Sequence, residues 1–166
     1  MPFNTVLSVY IAKEGFLVVM RQDNQWNFVH EAILEPICEV WFDQVRPFSN
    51  GYAAVCKAGK WTYVDTCGAL LSDLKYDEVK DFSGHFGAVR KGKTWSYIDS
   101  GGDLHGKYST VTGFRKGRAS VSIRKKYYII NSSFEKIMGP FDYATNILTG
   151  NTAIVRDKDG QRAVLL

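Results

Sequence analysis

The sequence has few of the features that support disulfide scaffolds, membrane spans or secretion. Its 166 residues include only three cysteines, Cys38, Cys56 and Cys67. Because their number is odd and no CxxC pair occurs, we expect neither a disulfide framework nor a zinc site, but reduced thiols that pack as small hydrophobic side chains. No apolar run approaches the ~20 residues of a membrane span. The N-terminus lacks the pattern of a signal peptide. We therefore expect a cytoplasmic protein without membrane contact, although a leader already removed would leave the same pattern.

Motifs of catalysis and cofactor binding are also missing. The sequence has no GxSxG elbow, no GxxxxGK[ST] phosphate loop, no HExxH pair and no cysteine with a recognisable histidine partner. His30, His85 and His105 show no ligand spacing, and His85 is expected in an exposed loop. We predict a non-enzymatic protein with no metal and no cofactor. An active site assembled from unlike loops would leave no motif, so an enzyme is the third choice.

Helical periodicity is absent, and short strand-like segments take its place. Aromatic residues make up 14% of the chain and there are 15 glycines, a combination that suits many short strands joined by tight turns. Residues Tyr76–Leu104 align without a gap on Phe42–Leu70 at a spacing of 34 positions. Self-similarity at a spacing of this size indicates a repeat architecture.

Each repeat opens with an aromatic residue that is followed three positions later by a small apolar residue. The openings fall at Phe3, Phe42, Tyr76, Tyr108 and Phe141. We predict an all-β fold that forms one domain over residues 1–166, with five tandem antiparallel units of about 33 residues each. Strands that are apolar on both faces need cover on both faces, so the sheets should stack. A propeller-like ring is the first choice for the array; an open β-superhelix, favoured by the degenerate end units, is the second.

Two segments carry a family resemblance, Gly59-Lys-Trp-Thr-Tyr-Val-Asp65 and Lys93-Thr-Trp-Ser-Tyr-Ile-Asp99. They resemble the WG (Trp-Gly) repeats of bacterial proteins, whose unit has an aromatic-Asp-x-Val opening, a Phe-Ser-x-Gly turn and a Gly-Lys-Trp-Gly-Tyr-Ile-Asp strand. The glycine after tryptophan is replaced here by Asn27, Thr62 and Ser96, and the last two repeats have Tyr127 and Arg162 in place of tryptophan. The resemblance implies a β-repeat protein that mediates interactions.

Residues that recur in every repeat are interpreted as structural. Asp65 and Asp99 lie at the end of the equivalent predicted strand in the second and third repeats, and Asn131 takes this position in the fourth. An Asp that Asn can replace indicates a side chain that caps a turn rather than a catalytic carboxylate. The recurring aromatic residues are expected in the core, although a sugar-stacking ladder is the alternative. They are Phe48, Phe82, Trp61, Trp95, Tyr63 and Tyr97.

One stretch differs from the other repeats in its charge. Between Leu104 and Phe134 there is no acidic residue, and the stretch carries a charge of +7, against +4 for the whole chain. The charge is either a solvated turn or a site for an anionic partner. The candidate binding residues are Arg115, Lys116, Arg118, Arg124, Lys125 and Lys126. Trp41 is a further candidate because it lies outside the repeat pattern and could form an exposed patch.

These observations favour a non-catalytic module that binds a protein partner with an acidic surface. No nucleic-acid-binding motif accompanies the basic stretch, so an acidic protein is preferred to a phosphate-bearing ligand or a nucleic acid. The alternative is a β-repeat protein that binds a small ligand or a glycan through its loop tips.

Overall fold

The computed structural model describes residues 6–11, 14–21, 23–148 and 151–166. Every regular element in this part of the chain is a β-strand, and all paired strands are antiparallel. None of the described residues belongs to a helix long and apolar enough to cross a membrane. The predicted all-β class is therefore confirmed.

The chain divides into two compact units, Met1–Phe82 and Ser83–Leu166. The boundary falls inside the third predicted repeat, so the compact units do not coincide with repeat boundaries. The expectation of one repeat domain over residues 1–166 stays a prediction.

The first compact unit contains two sheets whose strands are neighbours in chain order. The first sheet is formed by β1 (Val6–Ile11), β2 (Phe16–Arg21) and β3 (Trp26–His30). The second sheet is formed by β4 (Gln44–Val45), β5 (Tyr52–Lys57) and β6 (Lys60–Asp65). Strand β7 (Glu78–Ser83) follows them and ends at the boundary.

The second compact unit repeats this plan. Its first three strands lie in the order β10-β9-β8 and are β8 (Phe86–Lys91), β9 (Thr94–Ile98) and β10 (Leu104–Tyr108). The next sheet is formed by β11 (Thr110–Val111), β12 (Arg118–Ile123), β13 (Lys126–Asn131) and β14 (Lys136–Phe141). The last is formed by β15 (Tyr143–Ala144), β16 (Thr152–Asp157) and β17 (Gly160–Leu165).

Each repeat opening joins two successive sheets. The opening aromatic residue pairs with the tryptophan-bearing strand of the preceding repeat. Two residues later the chain pairs with the next strand of its own repeat. The four described pairs are Trp26–Phe42, Trp61–Tyr76, Trp95–Tyr108 and Tyr127–Phe141. The opening predicted at Phe3 lies outside the described residues. Within each compact unit, successive sheets are thus linked by one nearly continuous strand that is interrupted at a single residue.

The recurring aromatic side chains form the cores, with one exception. Phe48, Tyr63, Phe82 and Tyr97 are at most 2% exposed, and Trp95 is 8% exposed. Trp61, which occupies the same strand position as Trp95, is only half-buried. The Arg46 guanidinium lies over its indole, with the guanidinium carbon 4.8 Å from the ring centroid. The expectation that both tryptophans are buried is wrong for Trp61.

The position of the missing WG glycine has a structural role in three repeats. The amide of Asn27 donates to the Cys38 carbonyl at 2.8 Å, and the Thr62 hydroxyl donates to the Ser72 carbonyl at 3.0 Å. The Ser96 hydroxyl donates to the Gly106 carbonyl at 2.8 Å. Each side chain therefore connects its strand to the segment that follows the strand, because it donates a hydrogen bond to a backbone carbonyl of that segment.

Candidate functional site

The repeated Asp and Asn side chains cap turns, as predicted. Asp65, Asp99 and Asn131 each use one oxygen to accept two backbone N–H groups, two and four residues further on, at 2.9–3.0 Å. In the first repeat the Nδ1 atom of His30 accepts the N–H of Ala32 at 3.2 Å in the same place. Because these oxygens are occupied by the turn, the structure gives them a capping role.

Asp99 makes one contact that its counterparts lack, with the imidazole of His105. The Asp99 Oδ2 atom lies 2.7 Å from His105 Nε2, and the imidazole stacks on Phe134 with a centroid distance of 4.6 Å. The hydrogen bond from His105, with help from the turn amides, lowers the pKa of the Asp99 carboxyl below its ordinary value. A lowered folded-state pKa stabilises the fold above the unfolded-state pKa, and this contribution is lost as the pH falls through the folded value.

We predict that Asp99→Asn makes the loss of stability in acid shallower below about pH 4. The asparagine keeps the turn cap, as Asn131 does, but it cannot take up a proton. At neutral pH the expected loss is below about 1 kcal/mol, since the contact between Asp99 and His105 is partly exposed. Urea midpoints measured across the acidic range for both proteins test this. An unchanged pH profile would contradict the assignment.

The predicted basic residues do not form one patch. Arg115, Lys116 and Arg118 lie where β12 begins, whereas Arg124, Lys125 and Lys126 lie where it ends. A strand of this length spans about 17–20 Å. The structure therefore separates the stretch into two groups at opposite ends of the β12–β13 hairpin.

Two of the three side chains at the start of β12 are engaged by backbone carbonyls, one in the following repeat and one in the same loop. Arg115 donates to the Ile147 carbonyl at 3.5 Å, and Ser83, at the equivalent place in the third repeat, donates to the Phe114 carbonyl. Arg118 donates to the carbonyl of Lys116 at 3.4 Å and is half-buried. Of these three side chains, only that of Lys116 is exposed and makes no hydrogen bond with a described residue.

Lys126 also has a structural role. Its ammonium group forms an ion pair with Asp142, the residue between β14 and β15. In the second repeat Lys60 occupies the equivalent position and pairs with Asp77 at 2.6 Å. The charge of Lys126 is therefore a feature that two repeats share, and its interpretation as a departure from the repeat pattern is wrong.

Arg124 and Lys125 form the two-residue turn of the β12–β13 hairpin, with φ angles of 49° and 65°. Turns with positive φ at both central residues favour Asn-Gly, and other residues adopt this conformation at a cost of about 1–3 kcal/mol each. Both side chains are exposed, and neither has an ion pair or hydrogen bond with any residue in the described ranges. Two unpaired cations thus occupy a turn that is conformationally unfavourable for them.

The hairpin turns of the second unit lie at one edge. Tyr108 pairs with Trp95, beside the β8–β9 turn, and Thr110 pairs with Ser122, beside the β12–β13 turn. Only Ser109 separates these two pairs. The β8–β9 turn and the β12–β13 turn therefore lie on either side of Ser109, which is the junction between the two sheets.

Asp142 forms the equivalent junction between the β12–β13 and β16–β17 turns. Phe141 pairs with Tyr127 on one side of it, and Tyr143 pairs with Arg156 on the other. We call this surface the hairpin edge and define it by Lys91, Lys93, Arg124, Lys125, Tyr143 and Lys158.

The hairpin edge combines unpaired positive charge with one exposed aromatic ring. The neighbouring charges of Lys126 and Asp142 are paired, as are those of Asp157 and Arg162. Asp159, next to Lys158 in the β16–β17 turn, is exposed and forms no ion pair with a described residue, so Arg124, Lys125, Lys91 and Lys93 carry most of the positive charge. Tyr143 is 41% exposed, and no other aromatic side chain in residues 14–21, 23–148 and 151–166 reaches this exposure. Sequence reasoning missed Tyr143 and Lys158. Only the strand pairing on either side of Asp142 shows that the hairpin to which they belong is next to the hairpin that carries Arg124.

Trp41 does not form an exposed apolar patch. Its side chain is half-buried in the first unit, and the Arg21 guanidinium carbon lies 4.4 Å from its ring centroid. Arg21 is itself paired with Asp23 at 2.6 Å. The indole is thus covered by a cation that is already engaged.

The first unit also contains a shallow cavity of about 260 Å³ that involves a free thiol. His30, Ile33 and Cys67 are among the residues that line it. All three cysteines are free; Cys56 is buried as predicted, but Cys67 is exposed and does not pack as a hydrophobic side chain. Within the described ranges no three His, Cys, Asp or Glu side chains lie close enough to hold a metal ion.

The two compact units carry opposite charge. Residues 1–82 contain seven Lys and Arg and eleven Asp and Glu, whereas residues 83–166 contain fourteen and six. The formal net charges are therefore −4 and +8, which together give the +4 of the chain. An anionic partner would thus be attracted to the second unit, where the hairpin edge lies.

Comparison with known proteins supports the family resemblance over the middle of the chain. Residues 42–61 and 61–95 match the model of the WG containing repeat. No characterised protein sequence is significantly similar to the chain.

Among solved structures, Kluyveromyces lactis Hsv2 with loop 6CD replaced by a Gly-Ser linker is similar, with a TM-score of 0.52 at 16% identity. The match covers 97% of this chain and 62% of that one, so the chain spans about three fifths of Hsv2. BamB from Moraxella catarrhalis matches with a TM-score of 0.46 at 13% identity, over 95% of this chain and 56% of BamB. The likeness to Hsv2 is that of a β-propeller-like fold.

Proposed function

We propose that this chain, in which residues 42–95 match the WG containing repeat, is a non-catalytic binding module that captures an acidic protein segment on the hairpin edge. The observation that carries the proposal is the Arg124-Lys125 turn. Its two cations are exposed and unpaired at positions where Asn-Gly would be more favourable. Five repeat units, in a ring or an open superhelix, are part of the same proposal.

The chemistry of the edge fits a polypeptide with several carboxylates. Lys91 and Lys93 lie on one side of the Arg124-Lys125 turn, and Lys158 lies on the other. Positive side chains spread over three neighbouring turns attract an extended acidic segment and raise its rate of association. Tyr143 adds an exposed aromatic ring beside the central turn, and tyrosine is among the residues that contribute most at protein interfaces.

A glycan is the weaker alternative. Sugar rings stack on exposed aromatic faces, whereas the aromatic residues that recur in the described repeats are buried or half-buried. Tyr143 is exposed, but a single ring does not form a stacking ladder. Positive charge also adds little to the recognition of a neutral sugar. The observations therefore favour a protein partner over a glycan.

The proposal is tested with the double variant Arg124→Asn/Lys125→Gly and poly-L-glutamate as the acidic probe. The variant removes both charges and supplies the preferred turn sequence, so we expect the free energy of unfolding to rise by about 1 kcal/mol. We expect the affinity for the probe to fall at least tenfold. Binding of the original protein should also weaken steeply between low and high salt, because exposed charges are screened beyond about 10 Å at 0.1 M.

Lys116→Asn provides the matched control, to be compared with Arg124→Asn. Both residues are exposed and have similar positive φ angles, 48° and 49°, but they lie at opposite ends of the hairpin. We expect Arg124→Asn to weaken the binding of poly-L-glutamate and Lys116→Asn to leave it nearly unchanged. Equal losses in the two single variants, or normal binding by the double variant, would refute the hairpin edge as the binding surface.

A further inference from the structure

The segment that follows β3 presents apolar side chains to solvent. Its second half is fixed to the first sheet, where the Ile37 N–H donates to the Phe28 carbonyl at 2.9 Å. Its first half is open to solvent: Ile33 is 66% exposed and Leu34 is 54% exposed. Adjacent large apolar side chains with this exposure, on a segment that is anchored to a sheet, form a surface on which another chain can be buried.

Leu34 also has a backbone conformation that is unfavourable for leucine. Its φ angle is 59°, whereas the residues with positive φ in the corresponding turns of the second and third repeats are Gly68 and Gly102. Glycine adopts this conformation without the steric cost that a leucine side chain adds. The stability of the fold therefore does not account for an exposed leucine at this position.

The cavity of the first unit adjoins the same segment. Its volume of about 260 Å³ lies below the ~300–1,000 Å³ of small-molecule pockets, so it suits a single anchoring side chain. Its lining is mixed, with Ile33 and Ile37 as apolar residues and His30 and Thr66 as polar ones. A tyrosine side chain matches such a lining, because it combines an apolar ring with a polar hydroxyl group.

The charge of the segment is negative and not neutralised. Glu31, Glu35 and Glu39 are exposed, and none of them forms an ion pair or side-chain hydrogen bond with a described residue. We call this surface the acidic face and define it by Glu31, Ile33, Leu34, Glu35 and Glu39. Its charges attract a cationic partner, and its apolar side chains and cavity favour a partner that also carries an exposed ring.

We propose that the acidic face of one copy of the chain binds the hairpin edge of a second copy. This names the acidic segment that the hairpin edge captures, so it rests on the proposed function. The hairpin edge supplies the two unpaired cations Arg124 and Lys125 together with the exposed ring of Tyr143, and the acidic face supplies unpaired carboxylates and a cavity for one ring. The net charges of the two units, −4 and +8, add long-range attraction between copies.

Exchanging the charges of the two surfaces tests the contact. Sedimentation of the 166-residue chain should show mass rising with concentration above the 18.7 kDa of the monomer. We expect Glu31→Lys/Glu35→Lys and Arg124→Glu/Lys125→Glu each to remain monomeric, because like charges then face each other. An equimolar mixture of the two variants should associate again, since both contacts between them pair opposite charges. Lys116→Glu, at the other end of β12, is the control and should associate as the original protein does.

All the substituted side chains are exposed, and circular dichroism confirms that each variant is folded. If a charge-reversed variant does not fold, Glu31→Gln/Glu35→Gln and Arg124→Asn/Lys125→Gly replace the pair, and each should weaken self-association. A mixture of the charge-reversed variants that associates no more strongly than either variant alone would overturn the proposal.

Leu34→Gly tests the apolar part of the contact separately from the charges. Glycine suits the φ angle of 59°, so we expect a urea midpoint no lower than that of the original protein. Self-association should nevertheless weaken by at least about fivefold, because an exposed apolar contact is lost. A lower midpoint with unchanged association would show that Leu34 serves the fold and would contradict its place in the acidic face.

Poly-L-glutamate separates a failure of this inference from a failure of the proposed function. Glu31→Lys/Glu35→Lys keeps the hairpin edge, so it should bind the probe at least as tightly as the original protein does. A chain that binds the probe but is monomeric at every concentration would overturn self-association and leave the proposed function standing. Association that survives Arg124→Glu/Lys125→Glu would assign the acidic face to another basic surface and would also overturn the inference. Loss of probe binding by the original protein would contradict the proposed function instead.

Discussion

Replacing Trp95 with alanine is expected to lower the free energy of unfolding by about 3–5 kcal/mol, the usual cost of removing a buried tryptophan. Trp95 is 8% exposed and packs in the core of the second unit with Tyr108 and Val121. Its counterpart Trp61 is half-buried under a guanidinium group, so Trp61→Ala should cost less than about 2 kcal/mol. The two variants make the same chemical change at equivalent strand positions.

Urea unfolding followed by circular dichroism measures both losses without relying on tryptophan fluorescence. The comparison is informative because it separates burial from repeat position. Equal losses in Trp61→Ala and Trp95→Ala would show that the position in the repeat, and not the difference in burial, determines the contribution of the tryptophan.

Gly68→Ala is expected to have the second largest effect, about 3 kcal/mol or more. Gly68 has a φ of +84°, and a Cβ atom there would lie 1.9 Å from the Ile37 carbonyl oxygen and 3.1 Å from Cys38 Cβ. The substitution therefore combines backbone strain with a clash against a main-chain atom that cannot move without displacing its segment.

Gly59→Ala is the control for the strain alone. Gly59 has a similar φ of +72°, but no atom lies within 4 Å of a Cβ built on it. We expect a loss of about 1 kcal/mol, measured by the same urea titration. If the two glycine variants are equally destabilised, the close approach of the Ile37 segment to Gly68 does not contribute to stability.

The parts of the fold that could be predicted from sequence are those set by local chemistry. An Asp or Asn that follows a strand caps its own turn with nearby amides, so its recurrence at Asp65, Asp99 and Asn131 was sufficient evidence. The strand period and the glycine turns likewise identified the β units. These features depend on residues that are only a few positions apart in the sequence and are therefore also close together in space.

The parts that could not be predicted depend on register and on neighbouring sheets. The pairing on either side of Ser109 and Asp142 brings the turns that carry Lys93, Arg124 and Lys158 to one edge, whereas the basic stretch of the sequence grouped Arg124 with Arg115 as candidate binding residues. The burial of Trp61 depends on Arg46, which follows β4 and lies 15 positions earlier in the chain. Such contacts follow from the fold and not from the repeat pattern.

The central claim, that the hairpin edge is the binding surface, is tested most directly by titrating isotopically labelled protein with poly-L-glutamate and mapping the backbone amide shifts. We expect the shifts to concentrate at Lys91, Lys93, Arg124, Lys125, Tyr143 and Lys158. The amides of Lys116 and Gly117, at the other end of β12, should move little. Shifts concentrated between Arg115 and Arg118, or around Trp41, would contradict the account.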